Sequence, residues 1–198
     1  MRPDYTVIQS WIPENARVLD LGCGDGSLLQ HLYESRNATG YGIEIDEQSI
    51  PTCIRAGINV IQSDLDEGLA DFDADSFDYV ILSLTLPAMR YPVKLLDEML
   101  RVGKQGIVTF PNFAHWYSRF HLAIRGRMPV TEALPHRWHN TPNIHLCTIK
   151  DFEALCEERS VEILERSIIG ASSTTLKLRR SRAANFFGEI ALYRFTRA

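Results

Sequence analysis

The segment Val18-Leu19-Asp20-Leu21-Gly22-Cys23-Gly24-Asp25-Gly26 joins an apolar run to three glycines at alternate positions. The apolar half reads as a buried strand. Behind the glycines, Ser27-Leu28-Leu29-Gln30-His31-Leu32 has a helical look. Glycine is needed where a backbone turns sharply or must approach a ligand without a Cβ in the way. A strand, a glycine turn and a helix N-terminus together make a nucleotide-binding corner.

Charge narrows the choice of nucleotide. The spacing is G-x-G-x-G, not the G-x-G-x-x-G of dinucleotide folds, and the carboxylates Asp20 and Asp25 lie within the turn. A helix N-terminus attracts phosphate through its free N–H groups and dipole. Two anions beside it would repel a pyrophosphate, which argues against a dehydrogenase. An adenosine ligand with no phosphate, carrying an ammonium and a sulfonium, suits this corner better, and S-adenosylmethionine (SAM) is that ligand. The plain alternative is a tight strand–helix turn without a ligand.

The next strands carry matching acids. Ala38-Thr39-Gly40-Tyr41-Gly42-Ile43-Glu44-Ile45-Asp46 is a glycine-flanked strand ending in carboxylates, with Glu44 18 residues beyond Gly26. An acidic side chain about 20 residues past the glycine turn takes ribose hydroxyls in βαβ nucleotide folds. Asp46 is expected to cap a helix over 47–56, with Pro51 acceptable only in its first turn. A third strand ends at Ser63-Asp64-Leu65, which places Asp64 for an adenine amino group and Leu65 against the ring.

With 198 residues, 45% of them hydrophobic, the chain is long enough for one full core, and a single domain over 1–198 is expected. A formal net charge of -4 argues against nucleic acid as a general partner. No apolar run approaches 18 residues, so no membrane span is expected, and Met1-Arg2-Pro3-Asp4-Tyr5 lacks signal-peptide character. Cys23, Cys53, Cys147 and Cys156 show no C-x-x-C spacing and read as free thiols of a cytoplasmic protein. Cys23 within the turn reads as a packing residue, not a nucleophile.

Strands are expected at 17–21, 39–45, 58–62, 78–84, 106–110, 161–168 and 189–197, with helices over 27–35, 47–56, 91–102 and 148–159. This alternation calls for an α/β, Rossmann-like, doubly wound and mainly parallel seven-stranded sheet. Its last two strands have no evident helix between them and suggest a C-terminal β-hairpin with one strand antiparallel. Acids clustered over 64–78 read as a solvated face, since they lack metal-ligand spacing. An insertion at 111–147 holds His115, His121, His136, His139 and His145, two tryptophans, and Arg119, Arg125, Arg127 and Arg137. It is too aromatic for disorder, and 115–124 reads as a helix. His136-Arg-Trp-His139 has the spacing of a metal pair, but no fitting third and fourth ligand stands nearby, so no metal is expected. The stretch 170–187, with Lys177, Arg179, Arg180, Arg182 and Phe186-Phe187, reads as a basic hairpin loop.

Asp20-Leu-Gly-Cys-Gly-Asp-Gly26, Glu44, Asp64 and the fourth strand Phe77-Asp-Tyr-Val-Ile-Leu82 together resemble the class I SAM-dependent methyltransferases over residues 10–110. Gly126-Arg-Met-Pro-Val-Thr-Glu-Ala-Leu-Pro135 and Thr141-Pro-Asn-Ile-His-Leu-Cys-Thr-Ile-Lys-Asp-Phe152 extend the resemblance to the MetW family of methionine-biosynthesis proteins, over almost the whole chain. The resemblance implies a SAM or S-adenosylhomocysteine pocket at Asp20, Gly22, Gly24, Glu44 and Asp64, with Leu65 on the adenine. Cys23, Ile45 and Ser83 complete that set. It also implies a role beside MetX, the homoserine O-acyltransferase, as a partner needed for full acyltransferase function. It transfers no catalytic residue.

The residues fit that reticence. After strand four, Ser83-Leu-Thr-Leu-Pro-Ala88 has none of the [N/D]-P-P-[Y/F] element that amino-directed methyltransferases use. Transfer to a hydroxyl needs a general base, for which His115 or His136 is available. Two functions are therefore carried forward: a cofactor-binding partner of the acyltransferase, and a methyltransferase acting on a small molecule or protein. Oligomeric state and the acyl group of the partner reaction are not legible.

Overall fold

The computed structural model describes residues 2–170, 174–176 and 181–198. Helix α1 (Pro3–Trp11) precedes β1 (Arg17–Leu21), α2 (Ser27–Arg36), β2 (Thr39–Glu44), α3 (Ile50–Arg55), β3 (Val60–Gln62) and β4 (Phe77–Ser83). A single 3-10 turn at Leu86–Ala88 leads into α4 (Pro92–Val102) and β5 (Gly103–Pro111). Helices α5 (Trp116–Arg125) and α6 (Ile149–Glu158) follow. Strands β6 (Val161–Ile169) and β7 (Thr175–Leu176), helix α7 (Ser181–Phe187) and β8 (Ile190–Arg197) end the chain.

The strands form one sheet in the order β3-β2-β1-β4-β5-β8-β6-β7. The run β3 to β5 is parallel throughout. β8 inserts antiparallel between β5 and β6. The expected Rossmann-like plan and antiparallel last strand are present, with two corrections. Among the described residues the sheet has eight strands rather than seven, because the two-residue β7 adds an edge beside Ile168 and Ile169. The last two long strands are neighbours but not a simple hairpin, since β7 and α7 lie between them. Lys177, Arg179 and Arg180 of the anticipated basic loop lie outside the described residues.

Alternation along the central strands sends side chains to two cores. Leu19, Leu21, Val80, Leu82, Val108 and Phe110 meet α4 and α6 on one face. Val18, Ile81, Ile107 and Leu192 meet α1 and α2 on the other. Asp20 and Thr109, one residue out of phase with the first set, therefore share the α1 face. Helix α4 turns Leu95, Leu96, Met99, Leu100 and Val102 inward. From its outer side Arg101 pairs with Glu98 at 2.8 Å and donates to the carbonyls of Leu69 and Phe72. That clamp holds the acidic stretch before β4, where Asp66 accepts the Arg90 amide, and within β4 Asp78 accepts the Arg17 amide. These two acids organise loops as well as facing solvent.

Helix α1 was not expected, although Pro3 at its first turn and Tyr5, Ile8 and Ile12 at helical spacing are visible signals. The helix expected over 47–56 begins only at Ile50, with Pro51 in the first turn as required. Asp46 is not its cap. It instead organises the preceding turn, accepting from the Gln48 amide and the Ser49 hydroxyl, while Ser49 occupies the cap position.

Candidate cofactor site

Three backbone features build the corner after β1. Gly22, Gly24 and Gly26 all have positive φ, at +70°, +56° and +78°. Their surroundings differ. A Cβ on Gly22 would stand 2.8 Å from Thr85 Oγ1, and one on Gly26 would press on Ile58 and Cys53. A Cβ on Gly24 would meet nothing within 4 Å. Gly22 and Gly26 are thus glycines for packing, and Gly24 alone presents bare backbone to open space. The turn is fixed from β2, because the amides of Gly22 and Cys23 both donate to the Ile43 carbonyl. Asp25 accepts the Ser27 amide at the start of α2, and hydrogen bonding from Ser27, its side chain first and its amide second, holds the Asp25 carboxyl below the usual range.

Glu44, at the end of β2, is almost fully buried. Its Oε2 accepts the Gly24 amide at 2.7 Å, and its Oε1 accepts the amides of Ile45 and Asp46, each at 2.9 Å. A carboxylate offers about four lone-pair sites, so one remains on Oε2, beside the open face of Gly24. Ile45 next to it is exposed. Asp64 uses Oδ1 to accept the Asp66 amide, a turn contact, while Leu65 is buried in the α4-side core.

Asp20 is the electrostatic outlier. It is fully buried, its Oδ1 has no hydrogen-bond partner among the described residues, and burial raises its pKa to about 7. Arg2 opposes that rise, while Glu44 and Asp4 add to it. Arg2 itself is held by the buried Asp4 at 2.6 Å and donates to Ser83 Oγ at 2.9 Å. Ser83 Oγ donates in turn to Asp4 Oδ2 at 3.2 Å. Tyr5 meets Ser27 across the same seam at 3.0 Å. Ser83 is thus tied into the α1 polar seam.

Cys23 is buried with Sγ 4.0 Å from Cys53 Sγ, and desolvation pushes its thiol pKa up. That suits packing, not nucleophilic attack. After β4 the chain passes through Leu84 at φ +58°, whose amide is held by the carbonyl and hydroxyl of Thr109. Pro87 O then accepts the amides of Ile144 and His145, both at 2.9 Å, which ties the far end of the 111–147 insertion to this loop. Its near end is fixed by buried Asn112. That side chain donates to the carbonyls of Asn185 and Gly188 and accepts from the amides of Ala114 and Ile149. His115 is buried and its pKa lowered by desolvation, whereas His136, His139 and His145 are exposed. Among the described residues no group of three His, Cys, Asp or Glu side chains is placed to hold a metal.

The structure brings Asp20, Gly22, Cys23, Gly24 and Glu44 together and adds Arg2, Asp4 and Thr85, which the sequence did not single out. Asp4 lies in the first turn of the unexpected α1 and Arg2 at its N-cap position, and Thr85 is found only through its contact with Gly22. No helix among the described residues is long and apolar enough to cross a membrane.

The family model described as "Methionine biosynthesis protein MetW" matches residues 2–195. The chain is 41% identical over 171 residues to the bifunctional methionine biosynthesis protein MetXA/MetW of Rhodopirellula baltica, covering 82% of this chain and 27% of that protein. It is 29% identical over 147 residues to a ubiquinone biosynthesis O-methyltransferase of Hahella chejuensis, covering 70% of this chain and 61% of the other. The chain thus spans only part of both curated relatives. In fold it is similar to an S-adenosylmethionine dependent methyltransferase from Mesorhizobium loti, with TM-score 0.72, 16% identity and 98% of each chain covered. The sheet is that of the class I methyltransferases, and the chain belongs to the MetW family of methionine-biosynthesis proteins.

Proposed function

We propose that the chain binds SAM or its demethylated product S-adenosylhomocysteine at the Gly22–Gly26 turn, and acts by associating with the homoserine O-acyltransferase MetX. Binding would let the level of SAM, a product made from methionine, act on the pathway's flux. The observation that carries the cofactor reading is the open face of Gly24 set against an acceptor site on Glu44. The orphaned, buried carboxylate of Asp20 also fits, since a cationic ligand supplies the charge it lacks. Glu44 would take a ribose hydroxyl, the exposed Ile45 would flank the adenine, and Asp64 would receive its amino group, while Leu65 serves the core and not the ring. When bound, SAM itself supplies an electrophilic methyl group.

The partner reading draws on the relative that joins MetXA and MetW in one polypeptide. Polar groups after β4 are already committed, which disfavours methyl transfer by this chain. Thr85 Oγ1 donates to the Ser83 carbonyl at 3.1 Å, and Ser83 Oγ serves Asp4 and Arg2. A second reading, methyl transfer to a small molecule or protein, is favoured by the likeness to the O-methyltransferase relative. Co-purification from extract separates the two. Recovery of the acyltransferase, with its turnover raised by the chain, supports the first reading. Movement of label from methyl-labelled SAM to a product, without any acyltransferase, supports the second.

A further inference from the structure

Helix α5 has an amphipathic sequence, and among the described residues its apolar side stays largely exposed. Trp116, Phe120 and Ile124 recur every four residues, and Ile124 is 78% exposed. Of the ten residues in the helix only Ser118 is buried. A surface helix ordinarily turns such a stripe toward a core, and apolar patches left in water mark interaction sites. The chain beyond α5 adds Met128, Val130 and Trp138, the last 75% exposed.

Charge gives the patch its second property. His121, Arg125, Arg127, Arg137, Trp138 and His139 line a cavity of about 790 Å³ at the C-terminal end of α5. Among the described residues none of these three arginines has an ion-pair partner, whereas Arg101, Arg159 and Arg194 each have one elsewhere. Residues 116–146 contain four arginines, no lysine, no aspartate and one glutamate, Glu132, within a chain of net charge -4. Arginine, aromatic residues and methionine with no lysine and a single acid is the composition of a protein–protein contact centre. A partner that meets this surface must present apolar side chains with an acidic rim.

We infer that the exposed face of α5, with the basin of Arg125, Arg127 and Arg137, is the surface on which the homoserine O-acyltransferase docks through an acidic, apolar face. The inference rests on the association proposed above, and a relative that carries both parts in one chain supports the choice of occupant. Fusion holds such partners at a high effective concentration, which would let the same contact form within one molecule. The helix follows β5 and so leaves the sheet at the edge where β1, β2 and β4 deliver Gly24, Glu44 and Ser83. A docked enzyme would therefore lie on the cofactor side of the fold.

The test uses the purified full chain and the purified acyltransferase of the same organism, with affinity measured by biolayer interferometry. Ile124→Asp and Arg127→Glu are both exposed changes and should leave the melting temperature unaltered. Each is expected to weaken the complex by tenfold or more. Arg55→Glu, an exposed reversal on α3, should leave it unchanged, and rising salt should weaken the parent complex. If the parent does not bind the acyltransferase, the functional proposal falls and this one with it. If the parent binds and both variants bind equally well, only the surface assignment is overturned. Light scattering that finds a parent dimer made monomeric by Ile124→Asp would reassign the face to a second copy. Binding of the parent to phosphatidylserine vesicles, lost in Ile124→Asp, would reassign it to a membrane. Either result overturns the proposal.

Discussion

Glu44 accepts the Gly24 amide at 2.7 Å, so the end of β2 is fastened to the turn that follows β1. The bond aligns the one residue of the turn with open space beside it and the carboxylate expected to take a sugar. Because Glu44 also receives the amides of Ile45 and Asp46, it cannot swing to meet a ligand without losing three bonds. The acceptor is therefore fixed before any ligand arrives, and little ordering cost is left to binding.

Gly24→Ala separates ligand contact from folding. The added methyl has space, so the cost to stability is that of φ +56° alone, about 1–2 kcal/mol. SAM affinity should fall by tenfold or more, because the methyl projects where the ligand must approach, and Gly24→Val should abolish binding. Gly26→Ala should cost more stability, since its Cβ meets Ile58 at 3.1 Å and Cys53 at 3.2 Å. Calorimetry and thermal melts on the same proteins check both. Parent-like affinity in Gly24→Ala would show that the turn faces no ligand.

Asp20 should make both stability and binding depend on pH. Its folded pKa of about 7 lies above the unfolded value of about 3.9. Between those values the native state keeps a proton that the unfolded chain has lost, so stability falls as pH rises from about 4 to about 7. Asp20→Asn should remove that slope and raise the melting temperature at pH 8. A cationic ligand favours the carboxylate, so SAM affinity should weaken as pH drops below about 7 in the parent. In Asp20→Asn the affinity should be lower and free of that slope.

Much of this was legible in the chain and some of it was not. The glycine turn after β1 and the acid at the end of β2 could be placed because their positions depend on local backbone and a fixed sequence interval. Helix α5 was expected in an insertion too aromatic for disorder, and Pro51 in the first turn of α3 followed from proline's missing N–H. The Arg2–Asp4–Ser83 seam was hidden because Ser83 stands 79 to 81 residues from the other two and meets them only when α1 packs on the sheet. Asp46 misled because aspartate caps a turn as readily as a helix. The strand count missed β7, whose two residues show no periodicity of their own.

Asn112 supplies a control in which folding suffers and the cofactor corner does not. Its side chain makes four buried hydrogen bonds, three of which join the end of β5 to α6 and the α7 end and one of which closes the local turn at Ala114. Asn112→Ala leaves those backbone groups without partners, at a cost of roughly 3 kcal/mol or more. Urea unfolding should report that loss. Below the transition, titration should find SAM affinity within about twofold of the parent, far short of the tenfold step set by about 1.4 kcal/mol.

The central claim is that Glu44 and Gly24 form the cofactor's ribose grip, and titration calorimetry with S-adenosylhomocysteine on the parent and on folded Glu44→Ala tests it most directly. A charge-assisted hydrogen bond is worth about 1.5–3 kcal/mol, so the variant should bind about tenfold or more weakly, while NAD gives no heat with either protein. A parent that binds no S-adenosylhomocysteine, or a folded Glu44→Ala that binds it as tightly as the parent, would contradict the account.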